Sequence, residues 1–158
     1  DISRKTDYAL RMLAMLAEGN KSLLSVRTAA EAVDVPYSFA RSIQHGLVQA
    51  GIVESLRGVR GGMRLRLKPS EITIRQIVEA VQGPLVMNDC TAEEGMCPRM
   101  ECCCYHPIWA GAQELLRDYL DSVTLDDVVN HRQYPAVDVK FTDRDRFVEY
   151  ASWEGAGK

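Results

Sequence analysis

Apolar positions at the start of the chain recur with helical spacing in three successive segments. The first segment is capped by Thr6 and stops at Gly19–Asn20. Its apolar face consists of Ala9, Leu10, Leu13, Leu16 and Ala17. The second segment, SVRTAAEAVDV, is short and rich in alanine, and the third, YSFARSIQHGLVQAG, ends at Gly51. Because only the turn at Asp34–Pro36 separates these last two helices, they predict a helix-turn-helix.

The third segment has one apolar and one polar face. The predicted buried stripe is Phe39, Ile43, Leu47 and Ala50. On the opposite face lie Ser38, Arg41, Ser42, His45 and Gln49. Side chains of these types can donate to guanine or pair with adenine in a major groove. The pattern therefore favours DNA recognition by this helix, with a polar face that is merely solvated as the alternative.

The next stretch, GIVESLRGVRGGMRLRLKPS, has the pattern of a basic hairpin. Apolar and cationic residues alternate strictly in its second half, as Met63, Arg64, Leu65, Arg66, Leu67 and Lys68. Arg57 and Arg60 lie at the glycine-rich tip, where an arginine can reach phosphates or a narrow minor groove. A helix-turn-helix followed by such a hairpin predicts a winged helix, and a helical domain with an incidental hairpin is the alternative.

Two further helices follow the hairpin. Thr73 and Gln76 form a capping-box pattern before ITIRQIVEAVQGP, and Pro107 is placed to begin a long helix. The apolar stripe of the long helix is Ile108, Trp109, Ala112, Leu115, Leu116, Tyr119, Leu120 and Val123. This stripe is wider than a small winged helix needs to bury, so we expect homodimerisation through it; burial against the first and fourth helices is the alternative. The predicted fold is mainly α with a small β wing.

Composition places the chain among ordinary soluble globular proteins. It is 46% hydrophobic and 26% charged, and no apolar run approaches the ~18 residues of a membrane span. The first residues, DISRKTDYAL, lack the apolar stretch of a secretory signal, so we expect a cytoplasmic protein without a membrane partner. No nucleotide loop, pair of catalytic carboxylates or hydrolase triad stands out, and we expect neither an enzyme nor a small-molecule substrate.

Charge is distributed unevenly along the chain. Residues 1–75 contain 12 Lys and Arg against 7 Asp and Glu, whereas residues 76–158 contain 7 against 15. A basic half suits a polyanion, and an acidic half does not. We therefore expect the N-terminal half to bind double-stranded DNA.

Cysteine is concentrated in one short segment. The stretch CPRMECCCYHPIW contains four of the five cysteines, and Cys90 lies just upstream. An odd, clustered number argues against a disulfide framework and for reduced thiolates. Cys90, Cys97 and one member of Cys102–Cys104 can surround a metal centre, with His106 as a fourth ligand. The spacing favours metal over free thiols without choosing between zinc and an iron–sulfur cluster.

Five stretches occur in an order that resembles a known family. They are KTDYALRMLAMLA, LRGVRGGMRL, ITIRQIVEAVQGP, the cysteine segment and VTLDDVV. Together they are similar to the winged-helix iron–sulfur repressors that include the nitric-oxide sensor NsrR and the cluster-homeostasis regulator IscR, over about residues 2–130. The resemblance implies a homodimeric transcription regulator that binds a [2Fe-2S] or [4Fe-4S] cluster through three cysteines. We favour [4Fe-4S].

The same resemblance implies a ligand set. Cys90, Cys97 and Cys103 correspond to the family's three cysteines, although Cys90 and Cys97 are separated by six residues instead of the usual five. IscR-like members take a fourth ligand from a histidine that matches His106. Some NsrR-like members use an aspartate of the partner subunit that matches Asp7. We favour Asp7 and keep His106 as the alternative.

The resemblance also bears on DNA contacts. It places Ser38, Arg41 and Ser42 on the recognition helix and Arg57 on the wing. Pro36 and Arg41 differ from the IscR-like residues at these positions, so the operator sequence of that branch does not transfer.

These features predict a division of the chain and a function. The expected parts are a winged-helix DNA-binding domain at 1–83, a cluster-binding loop at 84–106, a dimerisation helix and short following helix at 107–130, and an extension of unknown role at 131–158. We expect a repressor that grips its operator when the cluster is intact and releases it after damage by nitric oxide, redox change or iron loss. A zinc-stabilised or thiol-based winged-helix adaptor without a cluster is the alternative.

Overall fold

In the computed structural model, the described residues form three α-helices, a two-stranded hairpin and two further α-helices, followed by a π-helix at Asp127–His131. The bounds are α1 Arg4–Glu18, α2 Val26–Ala32, α3 Tyr37–Gln49, β1 Val53–Leu56, β2 Gly62–Leu65, α4 Ile74–Gln82 and α5 His106–Ser122. The structure describes residues 2–18, 23–58, 61–92, 97–99, 103–131 and 134–135. Outside these residues lie Arg60, Cys102, the predicted helix stop at Gly19–Asn20 and, of the extension of unknown role, residues 136–158.

Internal contacts divide the chain into two compact units. The first contains the residues up to Leu85 together with Asp118–Pro135, and the second contains Val86–Arg117. The first unit holds the helix-turn-helix and an antiparallel two-stranded wing, so the predicted fold class, mainly helical with a small β wing, is confirmed. Within the described ranges, no helix combines the length and the apolar character needed to cross a membrane.

The start of α1 differs from the prediction that Thr6 caps it. Ser3 is the residue before the helix, and its hydroxyl accepts a hydrogen bond from the Thr6 N–H at 3.3 Å. Thr6 is buried inside the first turn, and its hydroxyl donates to Oε1 of Gln82 at 2.7 Å. Thr6 therefore joins α1 to the end of α4 instead of capping α1.

The core of the first unit lies between α1, α3, α4 and the wing. Its fully buried large side chains include Met12, Leu13, Ile43, Leu47, Met63, Ile72, Ile77 and Leu125. Each such side chain contributes about 1.5–3 kcal/mol when it leaves water. The close packing of α3 on α4 requires a glycine, because a Cβ on Gly46 would lie 2.6 Å from the Ala80 carbonyl oxygen.

Glycines end two of the helices, and for α3 the sequence predicts this at Gly51. Gly51 follows α3 with φ 73°, and Gly83 follows α4 with φ 88°, the left-handed region that glycine adopts without steric cost. The predicted capping box of α4 is also present. Thr73 Oγ1 accepts from the Gln76 N–H at 3.2 Å, and Gln76 Oε1 accepts from the Thr73 N–H at 3.0 Å.

The wing is shorter than the alternating pattern predicts. Strand β2 ends at Leu65, which pairs with Val53, the first residue of β1. The alternating apolar and cationic residues from Arg66 to Lys68 therefore lie outside the strand. The reason is that β1 begins only at Val53, after the Gly51 turn, and beyond Leu65 the last backbone bond to this side is from the Arg66 N–H to the Ile52 carbonyl at 2.9 Å. Leu24 adds one antiparallel bridge to Met63, with N–H···O distances of 2.9 and 2.8 Å.

Candidate functional site

The polar face of α3 presents the side chains predicted to contact DNA. Ser38, Arg41, Ser42 and His45 are all exposed. Tyr37, at the first position of the helix, is also exposed, and the Arg27 guanidinium of α2 lies 5.1 Å from its ring centroid. The face therefore combines hydroxyl, guanidinium, imidazole and aromatic groups in contact with solvent.

The buried stripe of α3 differs from the predicted one. It consists of Ala40, Ile43, Gln44 and Leu47. Phe39 is exposed at the edge of the stripe and meets the Tyr8 ring edge-on at 5.9 Å, while Ala50 is exposed. Ile43 and Leu47 are thus buried as predicted, whereas Ala40 and Gln44 are buried in place of Phe39 and Ala50. The Gln44 amide can be buried because both of its polar atoms find partners.

Gln44 is a polar residue of the interface that the sequence pattern missed. Its Oε1 accepts a hydrogen bond from Arg41 Nη1 at 3.1 Å, and its Nε2 donates to Ser55 Oγ at 3.2 Å. Ser55 belongs to β1. The helix that carries the base-reading candidates is therefore bonded to the wing through one amide.

The wing also presents an arginine and an ion pair to solvent. Arg57 is exposed directly after β1, and Gly58, with φ 112°, turns the chain there. Glu54 and Arg64 face each other across the two strands and form an exposed ion pair. Arg64 is therefore partly neutralised, whereas Arg57 forms no ion pair with any residue that the structure describes.

The second unit positions Cys90 in a hydrogen-bonded turn. Asp89–Thr91 forms a 3₁₀ turn, and the side chain of Asn88 accepts from the Asp89 N–H at 2.9 Å. Thr91 Oγ1 accepts from the Asn88 N–H at 3.2 Å and so closes the capping box. Cys90 is consequently held at a defined, buried position.

Gln113 of α5 binds this turn from the helix side. It is the buried polar residue of α5, 6% exposed. Its Oε1 accepts from the Met87 N–H at 3.0 Å and from Thr91 Oγ1 at 2.6 Å, and its Nε2 donates to the Thr91 carbonyl at 2.8 Å. The sequence pattern missed Gln113 because it lies beside the apolar stripe of the long helix.

Three of the five cysteines line one pocket of the second unit. The pocket has a volume of about 680 Å³ and is lined by Asn88, Asp89, Cys90, Cys97, Pro98, Cys103, Tyr105 and Trp109. Cys97 and Cys103 are half-buried, and Cys104 is exposed and does not line the pocket. Among the described residues, no three His, Cys, Asp or Glu side chains stand close enough together to hold a single metal ion.

The two candidates for the fourth ligand have different surroundings. His106 begins α5, one residue before the predicted start at Pro107, and its Nδ1 is buried without a hydrogen-bond partner in the described part of the chain. Asp7 lies on α1 in the first unit and is exposed. Its carboxylate accepts a hydrogen bond from Arg11 Nε at 3.0 Å, so the two residues, one helical turn apart, form an ion pair. The Asp7 carboxylate and the His106 imidazole are both groups that can bind a metal.

The fold and the exposed face of α3 define a class, the winged-helix DNA-binding transcription regulators. Residues 2–131 match the family described as Rrf2, iron-dependent transcriptional regulator, and the chain belongs to this family. Protein aau3 of Rhizobium meliloti is 33% identical over 132 residues, which cover 83% of this chain and 86% of that protein. The HTH-type transcriptional regulator NsrR of Shouchella clausii is 29% identical over 126 residues, 78% of this chain and 85% of NsrR.

A solved structure agrees with the fold. CymR, the global cysteine regulator of B. subtilis, superposes with a TM-score of 0.65 at 26% identity, over 83% of this chain and 97% of CymR. The resemblance to the NsrR and IscR family that the motifs predicted is therefore confirmed. The protein is a DNA-binding transcription regulator and, like these relatives, not an enzyme.

Proposed function

We propose that the protein is a homodimeric repressor whose grip on its operator is controlled by an iron–sulfur cluster that responds to nitric oxide, redox state or iron status. Cys90, Cys97 and Cys103 would hold the cluster. The observation that carries the proposal is that these three cysteines line the same pocket. The description of the family as iron-dependent agrees with it.

The size of the pocket and its donor atoms suit a cluster. A zinc ion lies only about 2.0–2.3 Å from its ligands, so four ligands enclose it tightly. The cysteine pocket, at about 680 Å³, offers more room than one ion fills, and thiolates are the usual ligands of iron–sulfur clusters. Of the two common types we favour [4Fe-4S].

The fourth ligand is proposed to be an oxygen or nitrogen atom. Asp7, contributed by the partner subunit, is the favoured residue, and its pairing with Arg11 on the surface would have to give way. His106 is the alternative, and its buried, unpartnered Nδ1 within the described residues supports it. When bound, the cluster would supply a centre that nitric oxide or oxygen can attack.

Contacts along the chain lead from the cysteines toward the DNA-reading elements. Gln113 bonds the Cys90 turn to α5, and α5 begins directly after the cysteine segment. Asp121, in its last turn, accepts from Arg75 Nη1 of α4 at 3.0 Å. Ligand binding orders the segment that it crosses, so pocket occupancy would alter how α5 is held and how the two recognition helices of a dimer are spaced.

Dimerisation through α5 is proposed from its exposed apolar residues. Four of them are Ile108 at 59%, Leu115 at 49%, Trp109 at 38% and Leu116 at 36% exposure. They fall on one stripe of the helix, and a contiguous apolar surface of this kind marks an interaction site. A second copy of the same helix is the partner that two-fold symmetry supplies.

Operator affinity with and without the cluster tests the function. The chain would be purified without air, its iron and sulfide counted, and a duplex selected by the protein itself from a random library. We expect the loaded dimer to bind this duplex at least about tenfold more tightly than the iron-free protein at one fixed salt concentration. Equal affinities would contradict cluster control, and a colourless protein with one zinc per chain would support the adaptor instead.

The fourth ligand is tested by paired variants. Asp7→Ala and His106→Ala would be compared for iron content, with Arg11→Ala as the control that breaks the Asp7 ion pair while it keeps the carboxylate. We expect Asp7→Ala to lose iron and Arg11→Ala to retain it. Loss in His106→Ala alone would move the assignment to the histidine.

A further inference from the structure

Gln44 is a buried amide in the helix that carries the base-reading candidates. Its side chain is 4% exposed, and a buried amide is destabilising unless both of its polar atoms find partners. Arg41 Nη1 can only donate, so the amide atom that it contacts at 3.1 Å is the oxygen. The amide nitrogen is then left to donate to Ser55 Oγ, at 3.2 Å. The orientation of Gln44 is therefore determined by its two neighbours.

This bond restricts an arginine that points into solvent. Arg41 is exposed, and a long side chain that is free to rotate loses conformational entropy when DNA immobilises it. Contact with Gln44 removes part of that freedom before DNA arrives. The contact uses Nη1 and leaves the edge formed by Nε and Nη2 for two acceptors. Guanine presents such a pair, O6 and N7, in the major groove.

Ser55 extends the arrangement to the second DNA-reading element. It lies on β1 opposite Met63 of β2, two residues before Arg57. A shift of the wing would therefore pull on the Gln44 amide and on Arg41. Base contact by α3 and phosphate contact by the wing are in this way mechanically linked.

We propose that Gln44 is a positioning residue that presets Arg41 for a bidentate contact with guanine and links that contact to the wing through Ser55. The inference rests on the proposed placement of Arg41 against base edges and is independent of the cluster. A phosphate is the other acceptor that a guanidinium could meet, and it is an outcome of the test below.

The test compares specific with non-specific binding. Affinities of the full chain for its selected duplex and for a random duplex would be measured over a series of salt concentrations. We expect Gln44→Leu to lower the ratio of the two affinities about three- to tenfold, with the salt dependence unchanged because no phosphate contact is lost. In an Arg41→Ala background the same substitution should change the ratio less than about twofold.

Ser55→Ala is the second variant, since it removes the hydrogen bond between Gln44 and the wing without altering the core. It should lower the ratio in the same direction by a smaller factor, and it carries the test if Gln44→Leu does not fold. If Gln44→Leu lowers the ratio of specific to non-specific affinity equally in the wild-type and Arg41→Ala backgrounds, Gln44 has only a structural role, and the inference is overturned. Equal weakening of both duplexes with a shallower salt dependence would mean a phosphate contact and would also overturn it. If Arg41→Ala leaves the ratio intact, the Arg41 assignment itself is wrong, and the inference is overturned with it.

Discussion

Arg75 donates from Nη1 to Oδ2 of Asp121 at 3.0 Å and so joins the first turn of α4 to the last turn of α5. Thr73 Oγ1 donates to the other carboxylate oxygen of Asp121 at 3.2 Å. Backbone bonds reinforce the junction, since the Ile74 N–H donates to the Val123 carbonyl at 2.9 Å. The end of the proposed dimer helix is therefore bonded to the domain that reads DNA.

Replacement of Asp121 tests this junction. We expect Asp121→Ala to lower the free energy of unfolding by about 1 kcal/mol, because a half-exposed ion pair contributes about 0–1 kcal/mol and one hydrogen bond about 0.5–1.5 kcal/mol. The melting temperature should fall by about 2–4 °C. Asp118→Ala, an exposed carboxylate nearly one turn earlier, is the control and should change little. Equal effects of the two variants would mean that the junction adds no measurable stability.

Gly46 is expected to be intolerant of a methyl group. A Cβ there would lie 2.6 Å from the Ala80 carbonyl oxygen, a backbone atom that cannot rotate away. Gly46→Ala should therefore destabilise the protein by about 1–3 kcal/mol in urea unfolding, despite the higher helix propensity of alanine. Gly111→Ala is the matched control, since nothing lies within 4 Å of its added Cβ and alanine should stabilise α5 by up to about 1 kcal/mol. A neutral Gly46→Ala would show that α3 and α4 can move apart freely.

Adjacent cysteines should differ in their effect on iron binding. Cys103 lines the pocket and Cys104 is exposed outside it. We expect Cys103→Ala to lose most of its iron and sulfide after anaerobic purification, and Cys104→Ala to retain them. The reverse result would place the ligand one position further along the chain.

Gln113 should control how firmly the Cys90 turn is held. Gln113→Leu leaves the Met87 N–H and the Thr91 carbonyl without their partner, and each of these part-buried hydrogen bonds contributes about 0.5–1.5 kcal/mol. The turn should loosen, and we expect iron to pass to a chelator about tenfold faster. Gln113→Glu keeps the acceptor but loses the donor, so its rate should be intermediate. Three equal rates would mean that the turn holds Cys90 without help from α5.

A charge on the stripe of α5 should disrupt the proposed dimer. Leu115→Glu would bury a carboxylate at an apolar contact, and we expect the dimer dissociation constant to rise about 10- to 100-fold in sedimentation measurements. Glu114→Ala, exposed and off the stripe, is the control. A dimer that survives Leu115→Glu unchanged must associate through another surface.

Short-range patterns predicted most of the elements. The capping box joins Thr73 to Gln76, three residues apart, and the glycines that end α3 and α4 act on their own backbone. The hairpin is signalled by alternation along the chain, and the clustered cysteines by their spacing. Such features are visible in sequence because the interacting groups are close neighbours along the chain.

Contacts between distant segments could not be predicted in the same way. Spacing along α1 does not reveal that the Thr6 hydroxyl donates to Gln82, or that Ser3 caps the helix instead of Thr6. Likewise, the sequence gives no sign that Gln44 is buried, because its partner Ser55 is brought beside it only by folding. The same holds for Gln113 and its partner Thr91.

The amino-acid sequence alone thus established the order of the helices and strands and the presence of a cysteine-rich segment. Hydrophobic periodicity, turn residues and cysteine spacing are each visible over a few residues of the chain. Packing alone selected which amides are buried, and it brought Cys90, Cys97 and Cys103, which the family resemblance had indicated, to one pocket. The physical reason is that a buried polar group is stable only beside a partner, and folding, not spacing along one helix, determines where that partner lies.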